Sequence, residues 1–434
     1  MRKVVTILVL LFALNLMFGQ GNQGILILNN LGKTMSFYNP ETNSLTQELL
    51  VVDSESGNNS PNDFVVVNDT LYVIVSMTDK LNVFDLNRSD NSPQIASVSI
   101  QLESGVLANP NKIITNGDKL YITLLTEDAL LVLDRKTLTR DTILSVPVAP
   151  EGMLIHNDKL YVCATGFNLT TFEYGPSYVY VFDLADYSAV DTISLPTQNI
   201  RTVHFLNQNE ILIHSAGALG VSGGKLYKYD VNSQAATDSL VTNDYLSDAY
   251  YDPYTGQFFV SLWGIFQAYD EGFNQFATVP GGSGFYSTQN NLFTANFEVD
   301  SLYVYDHEFN LLNRFATGAG PSVIKPVSLN SVLDINPTAH KLESFELSQN
   351  YPNPFNPTTT IDIMLNHPEQ VSLKIYNIEG KLIKTLVNEV LPAGVNKIHW
   401  NGTDETGKVV SSGVYFYQLR INGKSVTKKM MFVK

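Results

Sequence analysis

Gly220-Val-Ser-Gly-Gly224 has the spacing of a nucleophilic elbow. Such an elbow lifts a serine hydroxyl onto a sharp turn between a strand and a helix. Here the string runs into Lys225-Leu-Tyr-Lys-Tyr-Asp230, which reads as a strand, so a flexible loop is expected instead. The seven histidines, at positions 156, 204, 214, 307, 340, 367 and 399, form no His-x-x-x-His pair, so no metal-binding helix is expected. His204 and His214 read as a core pair on neighbouring strands. The single cysteine, Cys163, lies in the apolar run Leu160–Ala164 and reads as a small buried hydrophobe. One cysteine excludes a disulfide framework and a Cys-based zinc site. Asp85, Asn87 and Asp90 lack the spacing and closing Glu of a calcium loop. No phosphate loop or dinucleotide fingerprint occurs, and no cofactor or metal is implied. Lys and Arg number 27 against 42 Asp and Glu, a net charge of -15 that argues against nucleic acid as a partner.

The elements that position these residues repeat. A polar turn followed by an apolar run occurs seven times: Gly24–Leu28, Thr70–Ile74, Lys119–Thr123, Lys159–Cys163, Glu210–His214, Gln257–Ser261 and Asn291–Ala295. A second run follows each, ending at Asn39, Asp85, Asp134, Asp183, Asp230, Asp270 and Asp306. These ends are 46, 49, 49, 47, 40 and 36 residues apart. Such a period built of short strands predicts propeller blades rather than a helical solenoid. The terminal Asp is expected to accept hydrogen bonds from backbone N–H groups one and two residues on and so close a tight turn. A third run precedes six of the copies, and a spare one, Gly320–Val327, stands at the far end. The economical expectation is that this late strand joins the first unit, so that two open edges pair. The fold expected is all-β, a seven-bladed β-propeller over 20–329.

Leu71-Tyr-Val-Ile-Val with Leu81-Asn-Val-Phe-Asp85, and their relatives, resemble YVTN-type, quinoprotein-like propeller repeats, although no copy reads Tyr-Val-Thr-Asn. The resemblance implies architecture, and fold analogy alone carries no function. In that architecture the gaps between second and third strands share a face with the starts of the innermost strands. The distinctive gaps carry Tyr174, with Phe167, Phe172 and Glu173, then Trp263, then Phe297 with Glu298; Ala216–Gly224 is glycine-rich. Inner-strand starts add Asp63, Lys112, Glu151, Arg201 and Asp248. Aromatic side chains supply contact area and charges fix orientation. Tyr174, Trp263, Arg201, Glu151, Asp248 and Phe297 are therefore the ligand-binding candidates, and no catalytic residue is assigned.

The ends differ from the repeats. Arg2-Lys3, an apolar stretch from Val4 to Phe18 and a small residue before Gln20 predict a signal peptide over 1–19. The stretch is shorter than the ~20 residues of a bilayer span, and no later segment is long enough, so no transmembrane segment is expected in the mature chain. Residues 341–434 hold 11 Lys and Arg against 8 Asp and Glu, a shift from the acidic remainder that marks a domain boundary. Residues 330–341 read as a linker. Beyond it, β-type runs separated by Glu379-Gly380, Ala393-Gly394, Thr406-Gly407, Ser412-Gly413 and Asn422-Gly423 predict a small immunoglobulin-like antiparallel β-sandwich over 342–434. The proline-rich Leu347–Ile361 is expected as an extended entry.

Ser348-Gln-Asn-Tyr-Pro-Asn-Pro-Phe-Asn-Pro, Leu391-Pro-Ala-Gly394, Ser412-Gly-Val-Tyr-Phe-Tyr417 and the ending Lys428–Lys434 resemble the type A sorting domain of the type IX secretion system. The matching positions are Tyr351, Pro352, Asn353, Pro354, Phe355, Gly394, Gly413, Tyr415 and Lys434. The resemblance implies the type IX machinery as a partner, and an extracellular or outer-membrane surface location. The expected function is a binding or interaction module for a small ligand, a glycan or a protein. A propeller-type hydrolase or lyase acting on an extracellular substrate, and a structural surface-layer component, are the alternatives.

Overall fold

A computed structural model describes residues 23–328 and 345–433, apart from 56, 58, 89–92, 169–170, 219, 348–349, 351–352, 354, 366–367, 378–380, 393 and 422–423. The expected signal peptide, the linker, Tyr351, Pro352, Pro354 and Lys434 lie outside the described residues. The described residues are all-β, 63% strand, and contain no helix. None is therefore long and apolar enough to cross a membrane. The chain divides into two units, Met1–His340 and Lys341–Lys434.

In the N-terminal unit the described residues form seven four-stranded antiparallel sheets and a two-stranded ribbon. Six sheets take strands in chain order, as in Ser60–Val67, Thr70–Ser76, Lys80–Asp85 and Gln94–Ser99. The remaining sheet is composite: Ser44–Val51, Thr34–Asn39 and Gln23–Asn29 are joined by the late strand Pro321–Ser328. Ile25 pairs with Pro326 and Ile27 with Ile324, so the pairing expected of the spare run is present. Each sheet thus has a leading strand: Pro321–Ser328, Ser60–Val67, Pro110–Asn116, Pro150–His156, Ile200–Phe205, Asp248–Asp252 and Gly284–Ser287. Each leading strand touches the next, and Pro321–Ser328 touches both Gly284–Ser287 and Ser60–Val67.

Second strands such as Thr70–Ser76 and Lys119–Leu124 are buried along nearly their whole length, because neighbouring sheets cover both faces. That is why they read as continuous apolar runs. Fourth strands such as Gln94–Ser99 and Leu311–Ala316 alternate exposed and half-buried residues, as edge strands do. The core lies between sheets. Val65, Ile74 and Val83 pack with Ile113, Ile122 and Leu131 of the next sheet, and Ile25, Ile27 and Ile324 pack with Phe293 and Val304.

The repeated Asp does close turns, with one correction: its donors lie two to four residues on, not one. Asp134 Oδ1 accepts from the Lys136 and Thr137 amides at 3.0 Å, and Asp230 Oδ1 from those of Asn232 and Ser233 at 2.9 and 2.7 Å. In the first unit Asn39 does the same for Glu41 and Thr42.

The C-terminal unit is two sheets, ordered Phe345–Leu347, Thr359–Leu365, Gly394–Trp400 and Leu382–Leu391, Glu369–Asn377, Gly413–Ile421, Lys424–Phe432. They enclose one core that includes Ile361, Ile375, Trp400, Tyr417 and Phe432. Thr359–Leu365 is a central strand, where only an extended entry was expected; the prolines end at Pro357, just before it. Among the sorting-motif positions, Asn353 Oδ1 accepts the Met431 amide at 2.9 Å, and the Phe355 ring lies 5.4 Å from Trp400 and 5.0 Å from Phe432. Tyr415 donates to the Ser411 carbonyl at 2.7 Å and packs edge-on to Trp400. Gly394 and Gly413 each open a strand. Motif residues far apart in sequence thus meet around the last strand.

Candidate functional site

Antiparallel order puts the turn between second and third strands at the same end as the start of the leading strand. That end of the sheets is apolar. Its turns and connections expose Leu31, Met77, Phe172, Val221, Trp263 and Phe297. The turns between third and fourth strands, at the other end, are the Asp-closed ones. The gap 166–176 holds a short ribbon, Phe167–Asn168 with Glu173–Tyr174, rather than a plain loop. In Ala216–Gly224, Ala218 bridges Ser222, whose hydroxyl accepts the Ala218 amide at 3.0 Å. The strand Lys225–Asp230 follows, so Ser222 has no elbow to stand on.

The six candidates fall into three groups. Trp263, 76% exposed, and Phe297, 39% exposed, line one shallow pocket of about 150 Å³ with Asn296, Glu298 and Ser283. Arg201 donates through Nε to Glu151 at 2.7 Å and through Nη1 to the Tyr245 hydroxyl at 3.2 Å. The Glu151 carboxylate raises the Arg201 pKa further against the opposing effect of burial. The Tyr174 ring lies 4.8 Å from that of Phe167, tilted against it, and burial raises its hydroxyl pKa, with Tyr245 nearby adding to the effect. Arg201 is therefore held by a carboxylate of its own chain.

Asp248 belongs to the third group. A cavity of about 340 Å³ is lined by side chains from the leading strands of all seven sheets. Its charged members are Asp63, Lys112, Asp248 and Lys325. Lys325 Nζ lies 2.6 Å from Asp63 Oδ1, donates also to the Phe64 carbonyl and sits over the Phe64 ring. Burial lowers the Lys325 pKa although Asp63 opposes the shift. Asp63 Oδ2 also accepts the Ile113 amide at 3.1 Å, which ties two adjacent sheets together. Asp248 accepts the Ala249 amide and the Tyr250 hydroxyl, both at 2.8 Å. Burial disfavours its charge, yet Lys112 helps hold its pKa below the usual value. Ser283 lines both this cavity and the Trp263 pocket, so the two adjoin.

His204 and His214 do not pair across the strands: His214 is opposite Thr202, and His204 opposite Leu212. They meet through Thr202 Oγ1, which lies 3.1 Å from His214 Nδ1 and 3.1 Å from His204 Nε2. Burial lowers both pKa values, that of His214 to about 4, so both rings are neutral at pH 7. The Leu246 carbonyl, 3.1 Å from His214 Nε2, can only accept, so that nitrogen carries the proton and Nδ1 accepts from Thr202. Among the described residues, no group of three or more His, Cys, Asp or Glu could hold a metal ion. Cys163 is fully buried, and burial raises its thiol pKa.

Tyr250, Lys325, Phe285 and Tyr245 were missed as site residues. Lys325 had a signal, since the spare run was expected to occupy an inner position; its partner Asp63 lies 262 residues away.

Residues 353–425 match the FlgD Ig-like domain family. This accords with the sandwich at the level of an Ig-like domain. No curated protein matches the chain by sequence. Solved structures that it resembles are propeller-like. One is hydrazine synthase of Kuenenia stuttgartiensis, 16% identical, with a TM-score of 0.52 over 61% of this chain and 88% of that one. Another is a functionally unknown protein from Desulfotomaculum acetoxidans, 11% identical, with a TM-score of 0.53 over 70% of this chain and 98% of that one. At these identities the likeness concerns the fold alone.

Proposed function

We propose that the chain is an exported, seven-bladed β-propeller that binds a ligand at the mouth of its central channel, delivered by the type IX secretion system through its C-terminal domain. The observation that carries the binding reading is the single cavity bordered by all seven leading strands, adjoining an exposed aromatic pocket. A cavity with apolar walls and a few fixed charges is the usual form of a small-ligand site. The propeller reading is supported by seven four-stranded sheets whose leading strands touch in succession, the late strand completing the first sheet. The export reading is supported by the sorting-motif resemblance and by motif residues at both ends of the sandwich that pack together.

A thermal-shift screen of small acids, glycans and peptides on the full chain tests binding, because a ligand of the native state raises its melting temperature. A hit whose shift grows with concentration is expected; a flat response across the screen contradicts the reading. Removing 342–434 should leave the propeller folded but trapped in the periplasm. Display of the truncated chain on the cell surface contradicts the export reading.

A further inference from the structure

The common cavity has unspent hydrogen-bonding groups, and they are mostly donors. Asp63 already accepts three hydrogen bonds, from the Phe64 and Ile113 amides and from Lys325. Asp248 accepts the Ala249 amide on Oδ1, which the Thr202 hydroxyl also approaches at 3.4 Å, and the Tyr250 hydroxyl on Oδ2. Lys325 gives two of its three N–H groups, to Asp63 and the Phe64 carbonyl. Lys112 differs: it lines the cavity, yet its ammonium makes no ion pair or hydrogen bond among the described residues. Its charge acts on Asp248 and on Lys325, which line the same cavity. A partly desolvated ammonium with all three donors unspent is a binding group for an oxyanion.

We propose, resting on the binding reading above, that this cavity takes a small organic monocarboxylate, its carboxylate on Lys112 and the free N–H of Lys325. Charge fixes the valence. Two lysines face two aspartates, so the lining is neutral; a monoanion leaves one excess negative charge and a dianionic phosphate two. The remaining wall, formed by Met153, Tyr250, Phe285 and Ile324, suits an apolar body. At ~30 Å³ per water the cavity holds the volume of about eleven waters, which matches a ligand of roughly that many heavy atoms.

The test is calorimetry on the full chain with butanoate, hexanoate, benzoate and phenylacetate, each against its own amide, and with phenyl phosphate. At least one carboxylate should bind at least tenfold tighter than its amide and than phenyl phosphate. Lys112→Met should remove at least tenfold of that affinity while the chain stays folded, with only a modest drop in melting temperature from the charge that Asp248 loses. Equal binding of acid and amide, full retention of affinity in Lys112→Met, or no carboxylate binding overturns the proposal. A screening hit of another chemistry that weakens in Trp263→Ala leaves the binding reading standing without the carboxylate. A chain that binds nothing overturns both.

Discussion

His214 should make the N-terminal unit lose stability as pH falls from about 6.5 toward 4. The ring is fully buried, the Leu246 carbonyl fixes a proton on Nε2, and burial keeps the ring neutral. Folding lowers its pKa from 6.5 to about 4. A group depressed on folding contributes stability that is complete above its unfolded pKa and is lost as pH falls toward the folded value. At ~1.4 kcal/mol per unit the whole shift is worth about 3 kcal/mol, most of it gone by pH 4.5. Hydrogen exchange of the amides in Glu210–Ser215, corrected for intrinsic rates, reads the opening free energy of this unit separately from the sandwich. Between pH 7.5 and 4.5 the parent should lose about 2.5 kcal/mol more than His214→Gln, whose amide keeps a donor for Leu246 and an acceptor for Thr202. Equal losses in parent and variant would refute the assigned tautomer and the buried neutral ring.

Deleting 318–328 strips the composite sheet of its leading strand and exposes Gln23–Asn29 as a long apolar edge, so aggregation or a large drop in melting temperature is expected by light scattering and calorimetry; an unchanged melting curve refutes this. Trp400→Ala should cost the sandwich roughly 3–5 kcal/mol, because the indole is buried against Phe355, Tyr415 and Phe432 and donates to the Thr403 carbonyl; denaturant unfolding of the C-terminal unit measures it. Asp134→Asn should keep its turn, as Asn39 does in the first unit, whereas Asp134→Ala should speed exchange of the Lys136 and Thr137 amides.

Much of the architecture was legible because burial on both faces writes second strands such as Leu71–Val75 as unbroken apolar runs, and because each third strand ends in a turn that needs a side-chain acceptor. The late strand was legible by elimination, the first unit lacking a leading run. Thr359–Leu365 was not, since the prolines before it masked a strand that pairs with Gly394–Trp400. The site was legible only in part. Trp263 and Phe297 stood out as large aromatic residues in turns, and they do share a pocket. The contacts that give the charges their roles join distant strands: Arg201 to Glu151, and Lys325 to Asp63. Nothing local in the sequence shows that Arg201 is held by Glu151 while the Lys112 ammonium has no hydrogen bond among the described residues.

The most direct test of ligand binding at this face is the dissociation constant of a screening hit for the parent, Trp263→Ala and Tyr174→Ala. Both residues sit at the apolar end of their sheets, Trp263 beside the cavity and Tyr174 in the ribbon near Arg201. Loss of a desolvated aromatic anchor costs ~2 kcal/mol or more, about thirtyfold in affinity. Binding weakened to that extent in at least one variant, at an unchanged melting temperature, is the result predicted. Parent affinity in both variants would contradict a ligand that rests on the aromatic residues at this end of the sheets.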